Sequence, residues 1–159
     1  MTVKKKSQKQ ERKTAKEIGG RTTPASGAKW HSKGDVKNSN FLIECKTTDK
    51  TYYSLTIPIW EKICREARRD GMKTPVMRID LKEVMGDVRS MAVMNYADFK
   101  DSHFFGEDFA RCGAKSTRLI CVDKRVYFRD EKGHILTFPV IITLPWDVFL
   151  DYEKGFDIT

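Results

Sequence analysis

Apolar and polar side chains alternate with a period of two in the segment FLIECKT, which begins at Phe41. This period is typical of a β-strand, and it places Phe41, Ile43 and Cys45 on one face. Glu44 and Lys46 are then neighbours on the opposite face. Because burying a charge without a partner is costly, the two charged residues make this strand a candidate for chemistry.

The rest of the pattern predicts a mixed α/β protein. Residues 7–18 favour a helix that ends at Gly19-Gly20. Apolar residues recur at helical spacing after Pro58, which suits a first helical turn, and Gly71 ends this second helix. Further strands are predicted at residues 52–57, 75–81 and 90–95. This order predicts a mixed β-sheet flanked by helices.

The C-terminal part of the chain predicts a β-rich extension. Its strands are predicted at residues 118–122, 125–129 and 134–143, with a hairpin turn at 131–133. A final helix is predicted at 145–154, with Trp146, Phe149 and Leu150 on its inner face. The aromatic residues of this part favour a core or dimer surface over base stacking.

The length of 159 residues suits one compact domain with a buried core. The expected division is a disordered basic tail at residues 1–6, a core at 7–97 and an extension at 98–159. The extension is expected to pack on the core.

The net charge of +8 comes from the N-terminal quarter of the chain. Residues 1–37 contain eleven basic and three acidic side chains, whereas residues 38–159 contain nineteen of each. A segment of this kind is attracted to a polyanion, and each neutralised DNA phosphate adds about 0.9 to the salt slope of binding. For the lysine run alone, a solubilising or targeting tail is the alternative.

No stretch of the sequence is long and apolar enough to span a bilayer, and no secretory leader opens the chain. We therefore expect a soluble cytoplasmic protein without a membrane partner. The four cysteines and three histidines lie far apart, without the spacing of a zinc site. Reduced, buried thiols are expected.

Asp35 lies nine residues before Glu44, and a short turn at residues 38–40 folds it back beside the same strand. Two carboxylates that meet on one face repel each other unless a cation lies between them. Asp35, Glu44 and Lys46 therefore predict a metal site. The Glu-x-Lys tripeptide alone is weak evidence in so charged a chain.

Five segments carry a resemblance to a known family. They are Gln10-Glu11-Arg12-Lys13, Gly19-Gly20-Arg21, Pro24-Ala25-Ser26-Gly27-Ala28, Lys33-Gly34-Asp35-Val36 and Leu42-Ile43-Glu44-Cys45-Lys46-Thr47-Thr48. Together they resemble the Holliday junction resolvases of the PD-(D/E)xK nuclease superfamily, particularly the archaeal-type enzymes and their phage relatives. The resemblance covers residues 7–95, helix and strand order included, and implies a restriction-endonuclease-like sheet.

The resemblance also implies roles for individual residues. Glu11, Asp35 and Glu44 match the metal-binding carboxylates of the family, and Lys46 matches its catalytic lysine. Glu17 is the competing helix carboxylate, but it lies too close to the turn at Ser26-Gly27 to fit the family spacing. The expected DNA contacts are Arg12, Arg21, Ser26, Lys29 and Lys33.

The expected cofactor follows from hard-cation chemistry. Mg²⁺ prefers carboxylates, retained waters and phosphate oxygens, which Asp35, Glu44 and the backbone carbonyl of Cys45 suit, and Mn²⁺ is expected to substitute. A bound metal ion activates water and polarises the phosphate. Lys46 would orient that water or help to deprotonate it, and would stabilise charge developing on the phosphate.

The function that the resemblance implies is the resolution of four-way DNA junctions by two symmetric nicks. A homodimer with two active sites supplies the required symmetry, and a phage-encoded protein would act in the host cytoplasm. Another structure-selective, restriction-type or repair-type nuclease of the same fold is one alternative. A non-catalytic module that binds branched DNA is the other.

Overall fold

A six-stranded mixed sheet organises the computed structural model of this protein, which describes residues 3–23, 34–82, 85–95, 98, 127–129, 135–137 and 141–156. The helices of the described part are α1 (Val3–Glu17), α2 (Ile57–Arg69) and α3 (Trp146–Phe156). Its strands are β1 (Arg21–Thr22), β2 (Val36–Lys37), β3 (Phe41–Thr47), β4 (Thr74–Lys82), β5 (Val88–Asn95), β6 (Tyr127–Arg129), β7 (Ile135–Thr137) and β8 (Ile141–Pro145).

The strands of the main sheet follow the order β1-β2-β3-β4-β5-β8. β3 and β4 are parallel, and the other neighbours in this sheet are antiparallel. Because parallel neighbours need a crossover connection, the chain passes through α2 between β3 and β4. The predicted mixed sheet flanked by helices is confirmed.

Two apolar clusters cover the faces of the sheet. One contains Phe41, Ile43 and Cys45 of β3 together with residues of α1 and α3. The other contains Trp60 of α2 and Met77 of β4. The face predicted for the apolar residues of β3 is therefore confirmed, and so is the apolar stripe of α2.

The first helix is longer than its sequence predicts. α1 begins at Val3, so residues 3–6, which are expected to be a disordered tail, form its first turn. Lys6 Nζ donates a hydrogen bond to Asp49 Oδ1 at 2.9 Å, which attaches this turn to the loop after β3. A helix with few apolar residues gains stability from tertiary contacts of this kind, which no local pattern shows.

The predicted strand at residues 52–57 is wrong. Residues 52–56 have no regular secondary structure, and α2 begins at Ile57. Leu55 is buried and Tyr53 packs against the α2-side cluster, which explains the alternating pattern. In the main sheet, β3 already has β2 and β4 as its two neighbours.

Two of the C-terminal elements, β8 and α3, belong to the main sheet and its core. The predicted strand at 134–143 is two strands: β7 pairs antiparallel with β6 in a separate two-stranded sheet, and β8 pairs with β5. Trp146 and Phe149 of α3 are buried in the same cluster as β3, which confirms the predicted inner face of this helix. Residues 141–156 therefore share one core with the described residues between 3 and 95. The predicted strand at 118–122 and turn at 131–133 lie outside the described residues.

Candidate active site

Asp35 is fixed beside β3 by backbone and side-chain hydrogen bonds. Its N–H donates to the Ile43 carbonyl at 3.0 Å, and its own carbonyl accepts the Thr23 N–H at 2.8 Å. Its Oδ2 accepts the backbone N–H of Cys45 at 2.8 Å. The turn that the sequence predicts at residues 38–40 therefore places Asp35 at the edge of β3. There its side chain accepts a hydrogen bond from Cys45, the residue that follows Glu44.

Gly34 sets the direction in which the chain enters this turn. Its φ of 66° is in the left-handed region that favours glycine. A Cβ at this position would lie 2.6 Å from Cδ1 of Leu42, so the contact also excludes a side chain. The Gly34 N–H donates to Oε2 of Glu66 at 3.3 Å. Gly34 is thus needed both for its backbone conformation and for its small size.

Glu66 is a site residue that the sequence analysis does not identify. It is only 6% exposed, although it is a carboxylate on α2. Its signal in the sequence is a charge beside the apolar stripe positions Ile63 and Ala67 of this helix. By accepting the Gly34 N–H it supports the turn that carries Asp35.

Glu44 and Lys46 form an ion pair on one face of β3. Lys46 Nζ donates to Glu44 Oε1 at 2.7 Å, and the Glu44 side chain is 13% exposed. Burial raises the pKa of Glu44, and the charge of Asp35 raises it further, against the opposing effect of Lys46. Burial lowers the pKa of Lys46, but the hydrogen bond and charge of Glu44 outweigh it and leave this pKa raised. The pKa of Glu44 is therefore raised because burial and the charge of Asp35 together outweigh the ion pair with Lys46.

Helix α1 brings a third carboxylate to this neighbourhood. Ser7 Oγ donates to Glu11 Oε1 at 2.9 Å. Burial raises the pKa of Glu11, the hydrogen bond from Ser7 lowers it, and the charge of Asp35 raises it. Lys46 also acts on this pKa and lowers it. Glu11 therefore lies within range of the charges of Asp35 and Lys46, the same two residues that act on Glu44.

Cys45 and Gln10 join α1 to β3 at the site. Gln10 Nε2 donates to the Lys46 carbonyl at 2.8 Å, and the Gln10 side chain is buried. The Cys45 thiol packs into the α1-side cluster, where burial raises its pKa well above the usual range. In an antiparallel strand the N–H and C=O of one residue point to the same neighbour. The Cys45 carbonyl therefore points to the edge where its N–H meets Asp35.

Tyr53 and Lys62 flank the ion pair from the α2 side, and the sequence analysis identifies neither. Lys62 lowers the pKa of Glu44 by its charge. Burial raises the pKa of Tyr53, Lys46 lowers it and Glu44 raises it. Both residues lack a local sequence signal, because the crossover through α2 decides their position.

Glu17, the competing helix carboxylate, has a different environment. Its Oε2 accepts hydrogen bonds from Arg78 Nη1 at 2.5 Å and from Trp146 Nε1 at 2.9 Å. Arg78 is 1% exposed and lies with its Cζ 4.5 Å from the centre of a Trp146 ring. Glu17 therefore joins α1, β4 and α3.

The expected DNA contacts fall into two groups. Arg12 is exposed on α1 and Arg21 is exposed in β1. Ser26, Lys29 and Lys33 lie outside the described residues.

The donor atoms of the site suit a hard cation, although they are not preassembled. Among the described residues, no three His, Cys, Asp or Glu side chains form a group that could hold a metal ion. Mg²⁺ is commonly bound by only one or two carboxylates with waters and substrate phosphates, so Asp35, Glu44 and the Cys45 carbonyl fit its needs. Glu44 Oε1 is paired with Lys46 in this arrangement.

Comparisons with protein-family profiles, with curated proteins and with solved structures found no match. Within the described residues, no helix has the length and apolar character needed to cross a membrane.

Proposed function

We propose that this protein is a metal-dependent endodeoxyribonuclease. Asp35, Glu44 and Lys46 would form the active site that hydrolyses phosphodiester bonds of DNA. The observation that carries the proposal is the position of Asp35, whose carboxylate accepts the Cys45 N–H at 2.8 Å beside the Glu44–Lys46 ion pair on β3. The raised pKa of Glu44, caused by burial and by the charge of Asp35, agrees with this arrangement. A fold that holds two carboxylates against each other favours a bound cation between them. Perturbed carboxylates of this kind are concentrated at functional sites.

Each residue has a part in the proposed reaction. Asp35 and Glu44 would hold the metal ion with the Cys45 carbonyl, and Glu11 would complete the set from α1. Mg²⁺, when bound, polarises the phosphate and lowers the pKa of a bound water. Lys46 would position the attacking water and stabilise negative charge on the phosphate.

The proposed substrate is a four-way DNA junction, and the proposed assembly is a homodimer. The resemblance of residues 7–95 to junction resolvases supports both. The excess of basic residues in positions 1–37 supports a polyanionic substrate. Two sites related by a two-fold axis would make the paired nicks.

Cleavage assays on matched DNA substrates test this proposal. With Mg²⁺, we expect paired nicks in a labelled four-way junction, little cutting of a linear duplex of the same sequence, and no cutting in EDTA. Asp35→Asn and Glu44→Ala should abolish cleavage while junction binding in EDTA persists. Asp151→Asn, at an exposed position on α3, is the matched control and should cut like the wild type.

Two outcomes of the same assay would contradict the proposal. A folded Glu44→Ala protein that loses junction binding as well would show that Glu44 is structural. Equal cutting of flaps, junctions and linear duplex would support a different nuclease of the same type.

A non-catalytic module for branched DNA is the second candidate function. The Lys46–Glu44 ion pair at 2.7 Å favours it, because the ammonium group already supplies a positive charge to Glu44. This candidate predicts junction binding without cleavage and no increase in melting temperature on addition of Mg²⁺. The nuclease proposal predicts a Mg²⁺-dependent increase that Asp35→Asn removes.

A further inference from the structure

A groove rich in lysine lies between α1 and the ends of β3, β4 and β5. It encloses about 420 Å³, and its cationic residues are Lys6, Lys9, Lys13 and Lys82. We call it the lysine groove. None of these four residues is among the DNA contacts that the resemblance implies.

The three helix lysines of the groove form one row. Lys6, Lys9 and Lys13 are spaced three and four residues apart, which places them on one flank of α1. The row spans about 10 Å along the helix axis, because each residue rises 1.5 Å. Glu11 is about 200° around the helix from Lys9 and from Lys13. The groove and the metal-site carboxylate therefore lie on opposite flanks of the same helix.

The acidic groups near the groove leave it positively charged. Asp49 pairs with Lys6 at 2.9 Å. Asp80 also lines the groove, but its Oδ1 accepts hydrogen bonds from Arg78 at 3.2 Å and from Ser90 at 2.7 Å. Its charge is therefore directed into the buried network and offsets little of the lysine charge.

The remaining two helix lysines are weakly paired. Lys13 Nζ is 3.8 Å from Glu17 Oε1, while the other oxygen of Glu17 is held by Arg78. Lys9 makes no ion pair with any residue that the structure describes. An exposed row of this kind attracts phosphate groups more strongly than it stabilises the fold.

The groove borders β3, the strand that carries Glu44 and Lys46. Gln10 and Thr47 line the groove. Gln10 Nε2 holds the carbonyl of Lys46, and Thr47 is the next residue of β3. DNA bound in the groove would thus lie one helix diameter, about 10 Å, from the carboxylates on the other flank of α1.

We propose that the lysine groove binds the phosphodiester backbone of DNA at phosphates other than the one that is cut. The inference rests on the proposed function, since it assigns a second contact surface for the same substrate. About 10 Å corresponds to roughly three nucleotides of one strand, so the row matches a short run of phosphates.

Two double variants test the proposal. Lys9→Gln/Lys13→Gln removes two groove lysines of α1, and Arg65→Gln/Arg69→Gln removes two exposed arginines of α2 that do not line the groove. The substitutions change net charge equally, and Gln has nearly the helix propensity of Lys and Arg. The measurement is fluorescence anisotropy of a labelled four-way DNA junction in EDTA over a range of KCl concentrations.

The groove variant should reduce the slope of log Kobs against log [KCl] by about 1.8, which corresponds to two phosphate contacts. The control variant should stay within about 0.5 of the wild-type slope. Equal effects of the two variants would overturn the inference, and so would a wild type that does not bind the junction.

The two proposals fail in different experiments. A wild type that binds through the groove but never cuts with Mg²⁺ contradicts the proposed nuclease activity and supports the groove. A wild type that cuts, with equal salt slopes for the two variants, contradicts the groove and supports the nuclease.

Discussion

The carboxylates of Asp35 and Glu44 repel each other in the folded protein, and this repulsion affects its stability. Burial, followed by Asp35, raises the pKa of Glu44 above its ordinary value of 4.5. Because the pKa of Glu44 is higher in the folded protein than in the unfolded chain, protonation of Glu44 favours the folded state. This stabilisation is complete below pH 4.5 and is lost as the pH rises through the raised pKa. At neutral pH without a metal ion, the ionised Glu44 therefore lowers the stability of the fold.

Asp35→Asn should stabilise the metal-free protein at pH 7 by roughly 0.5–1 kcal/mol, the usual cost of like charges placed opposite each other. The asparagine oxygen can still accept the Cys45 N–H that Asp35 accepts at 2.8 Å. The gain should vanish below pH 4.5, where Glu44 is protonated. Urea unfolding in EDTA at both pH values measures it, with Asp151→Asn as the control. A variant less stable than wild type at pH 7 would show that the Asp35 turn contacts dominate.

Glu66 should act on the site through Gly34. Glu66→Ala leaves the Gly34 N–H without the acceptor it has at 3.3 Å, at a cost of about 1–3 kcal/mol. Glu66→Gln retains a carbonyl oxygen and should lose much less. Urea unfolding compares their stability, and Mg²⁺ titration of cleavage tests the position of Asp35, since only the alanine variant should need more Mg²⁺. Equal damage by both variants would assign the effect to the charge of Glu66.

At the scale of elements, a buried network holds α1, β4 and α3 together. Arg78 of β4 donates to Glu17 of α1, and Glu17 also accepts the Trp146 N–H from α3. Arg78 donates to Asp80 as well, at 3.2 Å. Because Arg78 is almost fully buried, the network depends on the carboxylates that surround it.

Glu17→Ala should cost about 3 kcal/mol of unfolding free energy, because it removes one carboxylate from the buried Arg78. Lys13→Ala is the matched control: its contact with Glu17 is 3.8 Å and exposed, so a change within about 0.5 kcal/mol is expected. Chemical unfolding followed by tryptophan fluorescence measures both. Equal effects would contradict a dominant role for Arg78.

α1, a helix with few apolar residues, contacts several other elements through polar side chains. α1 supplies Glu11 to the site, Glu17 to the buried network and Lys6 to the loop after β3. Periodicity predicts α2 and α3 more directly, since their apolar stripes are local properties. The contacts of α1 are mostly polar, so only the folded chain identifies them.

At the scale of the whole molecule, the C-terminal segment completes the core. Leu144, Trp146, Phe149 and Tyr152 are buried against β3 and α1. Four such side chains contribute roughly 6–12 kcal/mol, which is comparable to the total stability of a typical domain. Residues 7–97 are therefore not expected to fold alone.

A chain that ends after residue 97 should fail to unfold cooperatively, whereas one that ends after residue 156 should behave like the full chain. Circular dichroism during heating distinguishes them, because the shorter chain lacks β8 and α3. A folded, junction-binding protein of residues 1–97 would contradict this expectation.

The sequence by itself determines the features that depend on neighbours along the chain. The alternation from Phe41 assigns the faces of β3, the polar residues 38–40 predict the turn that returns Asp35 beside this strand, and the helical stripe after Pro58 predicts α2. The closeness of Asp35, Glu44 and Lys46 follows from the first two. These properties are local, since each is specified within about a dozen residues.

The tertiary structure decides the features that depend on distant pairing. It places Glu11 near Asp35 and Lys46, whereas Glu17 binds Arg78. It also provides Glu66 as the acceptor for the Gly34 N–H, and it joins residues 141–156 to the sheet through β5. It also forms the lysine groove from residues of α1 and β4. No local period encodes these contacts, because side chains far apart in sequence meet only when the crossover and strand order bring them together.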